Sequence, residues 1–550
     1  MSAGPSKSAL RSSSSTDRVL VESHRSSHAS KSALVAILKS VQEHGLPTNL
    51  SRQSVKRARN RELNATTPLG NLFIDINLDL KNGSTRSVPI LNPAALLWAE
   101  CKKCVAFGTF LQKAISECHN YMSIALYTDE VLPGNPLKGL NQRKLWAFYW
   151  SFLDFQQNLG CEELWLHVAC IRSSILKQVS GGVTQVFEKI VKTFYRASYD
   201  FRYGLPLEID GATVLLRAQI TCIVGDEAAL KSCWSFKGAS GIVPCVQCTN
   251  CVSDASDLQR RSGNLFTTST PHLNKCVPND DQKFLELVKH LDSEKPNRTQ
   301  KQFEQLEKAF GITLLEGMAQ RVESLLHLGI GPCSTLMYDW MHVYLVNGVW
   351  NSEVGWLLDH LRDPELATWV ADLTFPGSVK GRSVTGVHVL EKRAWNSGSI
   401  SCSASEGLSL YQVLRGYLMT LPPAQKQQLQ VQSYFALSEV LDILTKSRFE
   451  IVDPSDVSNA IEKHLNIRLH AYPNSTPVPK CHFALHLGPQ CRHHKWLCSC
   501  WVHERKHKEV KREGGAMMNA NVSVGFEACV HLERFFVIIW TSTMSFISGF

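Results

Sequence analysis

The run "GATVLLRAQITCIV" (211–224), followed at once by Gly225, Asp226 and "EAALKSCW" (227–234), decides the fold class. Its Val, Leu, Ile and Thr content predicts a strand, and the segment after Asp226 predicts a helix. Three more β-rich runs lie upstream: "SIALYT" (123–128), "KLWAFYWSFLDF" (144–155) and "ELWLHVACI" (163–171). Between the third and fourth, "GGVTQVFEKIVKTFYRASYDF" (181–201) sets Val183, Phe187, Ile190, Val191 and Phe194 at helical spacing. The order is three strands, a helix, a strand and a helix. Short connections make the first three strands antiparallel neighbours, and the helix before the fourth permits a parallel crossover.

That is the order of an RNase H-like α/β fold, in which the ends of the first and fourth strands lie side by side. Asp129 and Asp226 occupy those two ends. Turn chemistry at Pro133, Gly134, Asn135 and Pro136 follows the first strand. Asp210 competes for either aspartate position but begins a strand rather than ending one.

Outside this core the texture changes. Residues 1–32 are rich in Ser, Lys, Arg and His and are expected to be disordered. Residues 33–120 form an N-terminal region with a short amphipathic helix at "ALVAILKSVQEHG" (33–45). The basic run "SRQSVKRARNRE" (51–62) reads as a DNA-backbone or nuclear-import patch, or as a solvated linker. The core's first part spans 121–250. Helical periodicity then dominates 251–475, as in "DQKFLELVKHLDSE" and "HVYLVNGVWNSEVGWLLDHL", and predicts a helical insertion. Residues 476–550 complete the core and end in "FFVIIWTSTMSFISGF" (535–550), which is too short and too rich in Ser, Thr and Gly for a membrane span.

The bulk composition agrees with a globular protein. The 550 residues are 44% hydrophobic and 19% charged, enough for about three to four domains at ~150 residues each. The net charge of +9 suits a polyanionic partner. Eighteen cysteines without an apolar leader argue against a disulfide scaffold, leaving reduced core thiols or metal ligands.

Several residues carry chemistry. "GIVPCVQCTNC" (241–251) holds Cys245 and Cys248 at CxxC spacing, with Cys251 in reserve. "KCHFALHL" (480–487) holds His482 and His486, which share one side of a helix. Two thiolates and two imidazoles suit a tetrahedral Zn²⁺; buried cysteines and satisfied core histidines are the plainer reading. "CWVHERKHKEVKR" (500–512) sets Glu504 at the head of a basic helix, where it either pairs with Lys508 on a solvated face or faces inward to a metal. Asp339 and His342, three apart in "DWMH", sit on one helix face as an accessory pair or as a structural hydrogen bond.

Taken together, these pieces resemble the DDE transposases with an RNase H-like core and a helical insertion, closest to the CACTA, KDZ and Plavaka type. A CxxC follows the second aspartate ("GDEAALKSCWSFKGASGIVPCVQC"), "DWMH" lies in the insertion, and "HFALHLGPQ" precedes "HERKHK". The V(D)J recombinase core has a similar zinc layout. The resemblance covers about residues 120–530. It implies a catalytic triad of Asp129, Asp226 and Glu504 holding Mg²⁺ or Mn²⁺, and structural Zn²⁺ on Cys245, Cys248, His482 and His486. It implies duplex DNA as partner, touched by Arg505, Lys506, Lys508, Lys511 and Arg512, and a nuclear, homo-oligomeric, membrane-free enzyme. A catalytically silent DNA-binding scaffold is the alternative, and a zinc-dependent regulatory protein a third.

Overall fold

A computed structural model of the 550-residue chain describes residues 65–516, apart from 120, 133–143, 255, 257, 259–262, 372, 374–397 and 476–477. The expected N-terminal tail, the helix at 33–45, the basic run at 51–62, the turn at 133–136 and the tail at 535–550 lie outside those residues.

From the described start, β1 (Phe73–Asp79) and β2 (Thr85–Leu91) form an antiparallel hairpin. Helices α1 (Pro93–Lys103) and α2 (Val105–Glu117) follow, the first N-capped by the Asn92 side chain. This part of the N-terminal region contributes Leu78, Val88, Ile90, Leu97 and Leu111 to the core.

The central sheet begins with β3 (Tyr121–Val131), β4 (Leu145–Phe152) and β5 (Leu166–Arg172), antiparallel neighbours in sequence order. Helix α3 (Gly182–Lys192) carries the chain across the sheet, burying Val186, Phe187, Ile190 and Val191 at helical spacing. A hairpin of β6 (Leu205–Ile209) and β7 (Ala212–Gly225) follows, turned by Asp210 at φ 48° and Gly211 at φ 77°. Strand β7 then runs parallel to β3, with Val224 beside Tyr127. Its first half alternates exposed and buried residues, whereas Cys222–Gly225 are all buried. An apolar run without alternation is what a strand covered on both faces requires. Helix α4 (Glu227–Trp234) leaves the end of β7, N-capped by Asp226.

Helices α5 (Asp281–Glu294), α6 (Gln300–Phe310) and α7 (Met318–Leu326) precede β8 (Leu336–Tyr338). That three-residue strand pairs in parallel with Ile223–Gly225. The sheet order is β5, β4, β3, β7, with β6 and β8 sharing the outer edge of β7. The insertion expected over 251–475 is therefore interrupted, since 336–338 belong to the sheet. The single helix suggested by 342–361 is broken at Asn347 (φ 47°) into α8 (Trp340–Leu345) and α9 (Val349–Leu361). Then come α10 (Ala404–Thr420), α11 (Leu429–Lys446), α12 (Pro454–Ala471), α13 (Lys480–Leu485), α14 (Leu487–His494) and α15 (Trp501–Ala516).

A buried ionic group fastens the helical part. Glu353 accepts from Ser433 (2.7 Å), meets His464 Nε2 at 2.7 Å and faces Arg468 at 3.7 Å. Burial pushes the Glu353 carboxyl up, but His464 and Arg468 outweigh it and hold the group below its ordinary range. The fold is thus mixed α/β, with one mixed sheet and many helices. Among the described residues no helix is long and apolar enough to cross a membrane.

Candidate functional site

Two clusters meet where β3, β7, β8, α13 and α15 come together. In the first, Cys245, Cys248, His482 and His486 are all buried, and their ligand atoms lie within 4.8 Å of one another. His486 Nε2 is 3.3 Å from Cys245 Sγ, 3.4 Å from Cys248 Sγ and 3.2 Å from His482 Nε2. Zinc bonds of about 2.3 Å to sulfur and 2.0–2.1 Å to nitrogen make tetrahedral edges of roughly 3.3–3.8 Å. The three edges that meet at His486 Nε2 match those of such a tetrahedron and all four ligand atoms lie within 4.8 Å of one another, so the donor set fits zinc.

Local structure explains the convergence. His482 and His486 are four apart across the α13–α14 junction and so share a side. The cysteine turn is clamped by a ladder in which Thr249 N donates to Val277 O and Asn279 N to Gln247 O, both at 2.9 Å. Tyr338 of β8 runs alongside, stacked on Phe483 at 4.7 Å. Burial would raise the Cys245 thiol, but the Cys248 hydrogen bond and the two imidazoles hold it well below its ordinary range. Cys248 is driven the other way, chiefly by its hydrogen bond to Cys245. Cys251 stands outside the group, in a short strand paired with Phe266 and Thr267. The same ladder brings in Cys276, buried beside Cys248, which no sequence spacing announces.

The second cluster is acidic. Asp129, Glu504 and His507 bring ligand atoms within 4.8 Å of one another. Asp129 lies inside β3, opposite Ala147, and not at the strand's end as its sequence suggests. Its Oδ1 accepts from Glu130 N (2.7 Å), and Tyr127 Oη donates to Oδ2 (3.3 Å). Asp226 sits two residues past Val224, the partner of Tyr127, so it stands level with Asp129 on the neighbouring strand. Its carboxylate is outside the tight group and accepts from Ala229 N (2.7 Å) as a helix cap. The two are nonetheless electrostatically joined. Burial first, then the Asp226 charge, push the Asp129 carboxyl up to about 7; Glu504 adds to this, while His342 and the Glu130 amide oppose it. Asp210 is at the opposite end of the 14-residue β7, some 45 Å away at ~3.3 Å per residue, and takes no part.

Asp339 and His342 form the latch between the clusters. Asp339 is the N-cap of α8, not a residue on its face, and accepts from Met341 N (3.1 Å) and His342 N (3.2 Å). Its side chain also bonds the His342 ring and the backbone N–H of Cys500 (3.0 Å), at the mouth of α15. Its own N–H donates to Gly225 O (3.1 Å), the residue before Asp226. Burial lowers the His342 pKa, but the Asp339 hydrogen bond and the surrounding carboxylates outweigh it and bring it to about 9. Cys500 joins these two in a third buried group. Lys480 Nζ caps the other end of α8, donating to His342 O (2.9 Å) and Val346 O (2.5 Å), two residues before the ligand His482.

Helix α15 corrects the expected DNA face. Val502, His503, Lys506, His507 and Val510 are buried, a core-facing stripe at helical spacing. Lys506 Nζ donates to Glu162 O (2.7 Å), and Arg505 bonds Glu162 Oε1 (2.8 Å) and Gly160 O (2.7 Å). These two cations tie the helix to its own core, so they are not free for phosphates. Lys508 and Lys511 are exposed, and the Arg512 side chain lies outside the described residues. Trp501 is half-buried against the core, and His503 stacks on Tyr127 at 3.6 Å.

No family model and no curated protein matches this chain.

Proposed function

We propose that the chain is a transposon-derived DDE-type DNA strand transferase with an RNase H-like core. The observation that carries this reading is the pairing of Asp129 on β3 with Glu504 on α15, their oxygens within 4.8 Å, beside Asp226 at the level position of the parallel neighbour. Carboxylate oxygens on three rigid elements suit a hard cation. The strand order, three antiparallel strands and then a parallel pair reached through a helix, agrees with such a core.

Asp129, Asp226 and Glu504 would hold Mg²⁺ or Mn²⁺, which supplies activation of the attacking oxygen and stabilisation of the leaving oxygen. Water acts as nucleophile in strand cleavage and a 3′-hydroxyl in strand transfer. Asp339 and His342 orient the end of β7 and the start of α15. Lys508 and Lys511 face DNA phosphates. The Cys245, Cys248, His482 and His486 site would take structural Zn²⁺, since four protein ligands leave no position for water. Active protein is a nuclear homo-oligomer on duplex DNA.

The test is cleavage of a terminal-repeat duplex with Mg²⁺ or Mn²⁺, in wild type and Glu504→Gln. Metal-dependent nicking lost in the variant supports the reading. A second reading has its own observation: Asp226 is committed to capping α4 and lies outside the tight group. DNA binding without nicking under any metal would favour that reading, a DNA-binding scaffold without catalysis.

A further inference from the structure

The tight acidic group differs from the one that the strand ends suggest: its third member is His507, and Asp226 stands outside it. Glu504 and His507 are three apart on α15 and so share one side of that helix, facing Asp129 on β3. His507 Nδ1 stands 3.9 Å from Asp129 Oδ2, and the His507 side chain is 3% exposed. Tyr127 and Tyr149 pack against its ring, with centroids at 5.8 and 5.9 Å. The imidazole is therefore held in place from the strand side, with a nitrogen toward the carboxylates.

The spacing distinguishes two roles. A histidine that only neutralises Asp129 would sit at the distance of a charged hydrogen bond, about 2.7–2.9 Å. Two donors on one cation, at bonds of about 2.1 Å, stand roughly 3.0 Å apart when adjacent and roughly 4.2 Å apart when opposite. The 3.9 Å separation falls in the second range, with an ion's width between the groups. Asp226, by contrast, is committed to Ala229 N at 2.7 Å as the cap of α4. The third donor of the tight group is thus a nitrogen and not a carboxylate. Imidazole is a ligand of transition-metal ions, whereas Mg²⁺ is held through oxygen and keeps several waters.

We propose that His507 is a direct ligand of the cation bound by Asp129 and Glu504, and that its nitrogen selects a transition-metal ion such as Mn²⁺ over Mg²⁺. The proposal rests on these carboxylates being the metal site of a strand transferase. It adds a protein ligand and a metal preference that are present before DNA arrives. Asp226 is left for a second cation shared with Asp129, its level neighbour on the parallel strand.

The test uses full-length, zinc-loaded protein without DNA, and Mn²⁺ as the probe. Pulsed EPR of the bound ion should show a ¹⁴N coupling that becomes a ¹⁵N coupling when the protein carries ¹⁵N-histidine. Glu504→Gln should weaken Mn²⁺ binding, which assigns the signal to this site. His342→Gln should keep the coupling, because the His342 ring is bonded to Asp339. His507→Leu should remove it and weaken Mn²⁺ by at least roughly tenfold, the lower end of what even an outer-shell partner of a metal ligand is worth. Its Mg²⁺ affinity should stay within about twofold of wild type, since Mg²⁺ draws little from imidazole. His507→Gln is the second variant should the apolar one fail to fold. Bound Mn²⁺ that Glu504→Gln weakens but that shows no histidine coupling overturns the proposal and leaves the carboxylate site standing. A coupling that survives in the His507 variants, or vanishes in His342→Gln, overturns it as well. Failure of the DNA-free protein to bind Mn²⁺ also overturns it, and the cleavage assay then decides the strand-transfer reading by itself.

Discussion

Replacing Asp129 by Asn should stabilise the protein when no divalent cation is added, and the gain should grow with pH. Burial and the Asp226 charge raise the Asp129 carboxyl from 3.8 to about 7 in the fold. A carboxyl raised in this way is harder to ionise folded than unfolded. The resulting penalty is absent below pH 3.8, grows between 3.8 and about 7, and is complete above that. At about 1.36 kcal/mol per pH unit the full penalty is roughly 4 kcal/mol. The side chain is 23% exposed, which trims it to about 2–4 kcal/mol. Asn keeps the acceptor for the Glu130 amide and loses the charge. With about 410 described residues at ~2.1 cal/mol/K each, every 1 kcal/mol moves Tm by about 1 °C. Thermal unfolding in metal-free buffer should therefore place Asp129→Asn about 2–4 °C above wild type at pH 8 and level with it at pH 4. Saturating Mn²⁺ should raise wild type and leave the variant unmoved. A variant no more stable at pH 8, or equally shifted at both pH values, would refute the reasoning.

The other expectations are simpler. Asp226→Asn and Glu504→Gln should each abolish metal-dependent cleavage while retaining duplex affinity, and a gel assay of nicking against binding separates the two. Lys508→Ala with Lys511→Ala should flatten the slope of log affinity against log salt by about two, one per lost phosphate contact, whereas Lys506→Met should lower Tm and leave that slope alone. Cys248→Ser or His486→Ala should take bound zinc from about one equivalent to near none, read by elemental analysis, and lower Tm. Glu353→Gln should destabilise by about 3–5 kcal/mol in urea unfolding, because it strands His464 and Arg468 without their counter-ion.

Most of the sheet was legible because its strands announce themselves by β-rich runs and its connections by length. The helical spacing of α3 permitted the parallel β3–β7 pair that the sheet adopts. Strand β8 was not legible, since three residues, Leu336–Tyr338, carry no period and abut a helix-forming segment. The Cys₂His₂ cluster was visible from CxxC and i,i+4 spacing, though Cys276 was not, because a backbone ladder rather than a motif brings it near Cys248. Helix α15 was misjudged by counting charges. The apolar and histidine positions at 502, 503, 507 and 510 already define an inward stripe, and Lys506 falls on it. A long aliphatic stem lets lysine lie along a core and deliver its ammonium to a carbonyl, so charge alone does not report direction.

The Cys₂His₂ cluster joins positions 241 residues apart, Cys245 and His486. Strand β8 fastens the middle of the same stretch to the sheet. The helical part is therefore two loops tethered at both ends to a rigid frame. Closing a flexible loop of twice the length adds only about 0.6 kcal/mol. Gains and losses of whole helices between the tethers should therefore be thermodynamically cheap, while the spacing inside 245–248, 336–342 and 482–504 is not free to change.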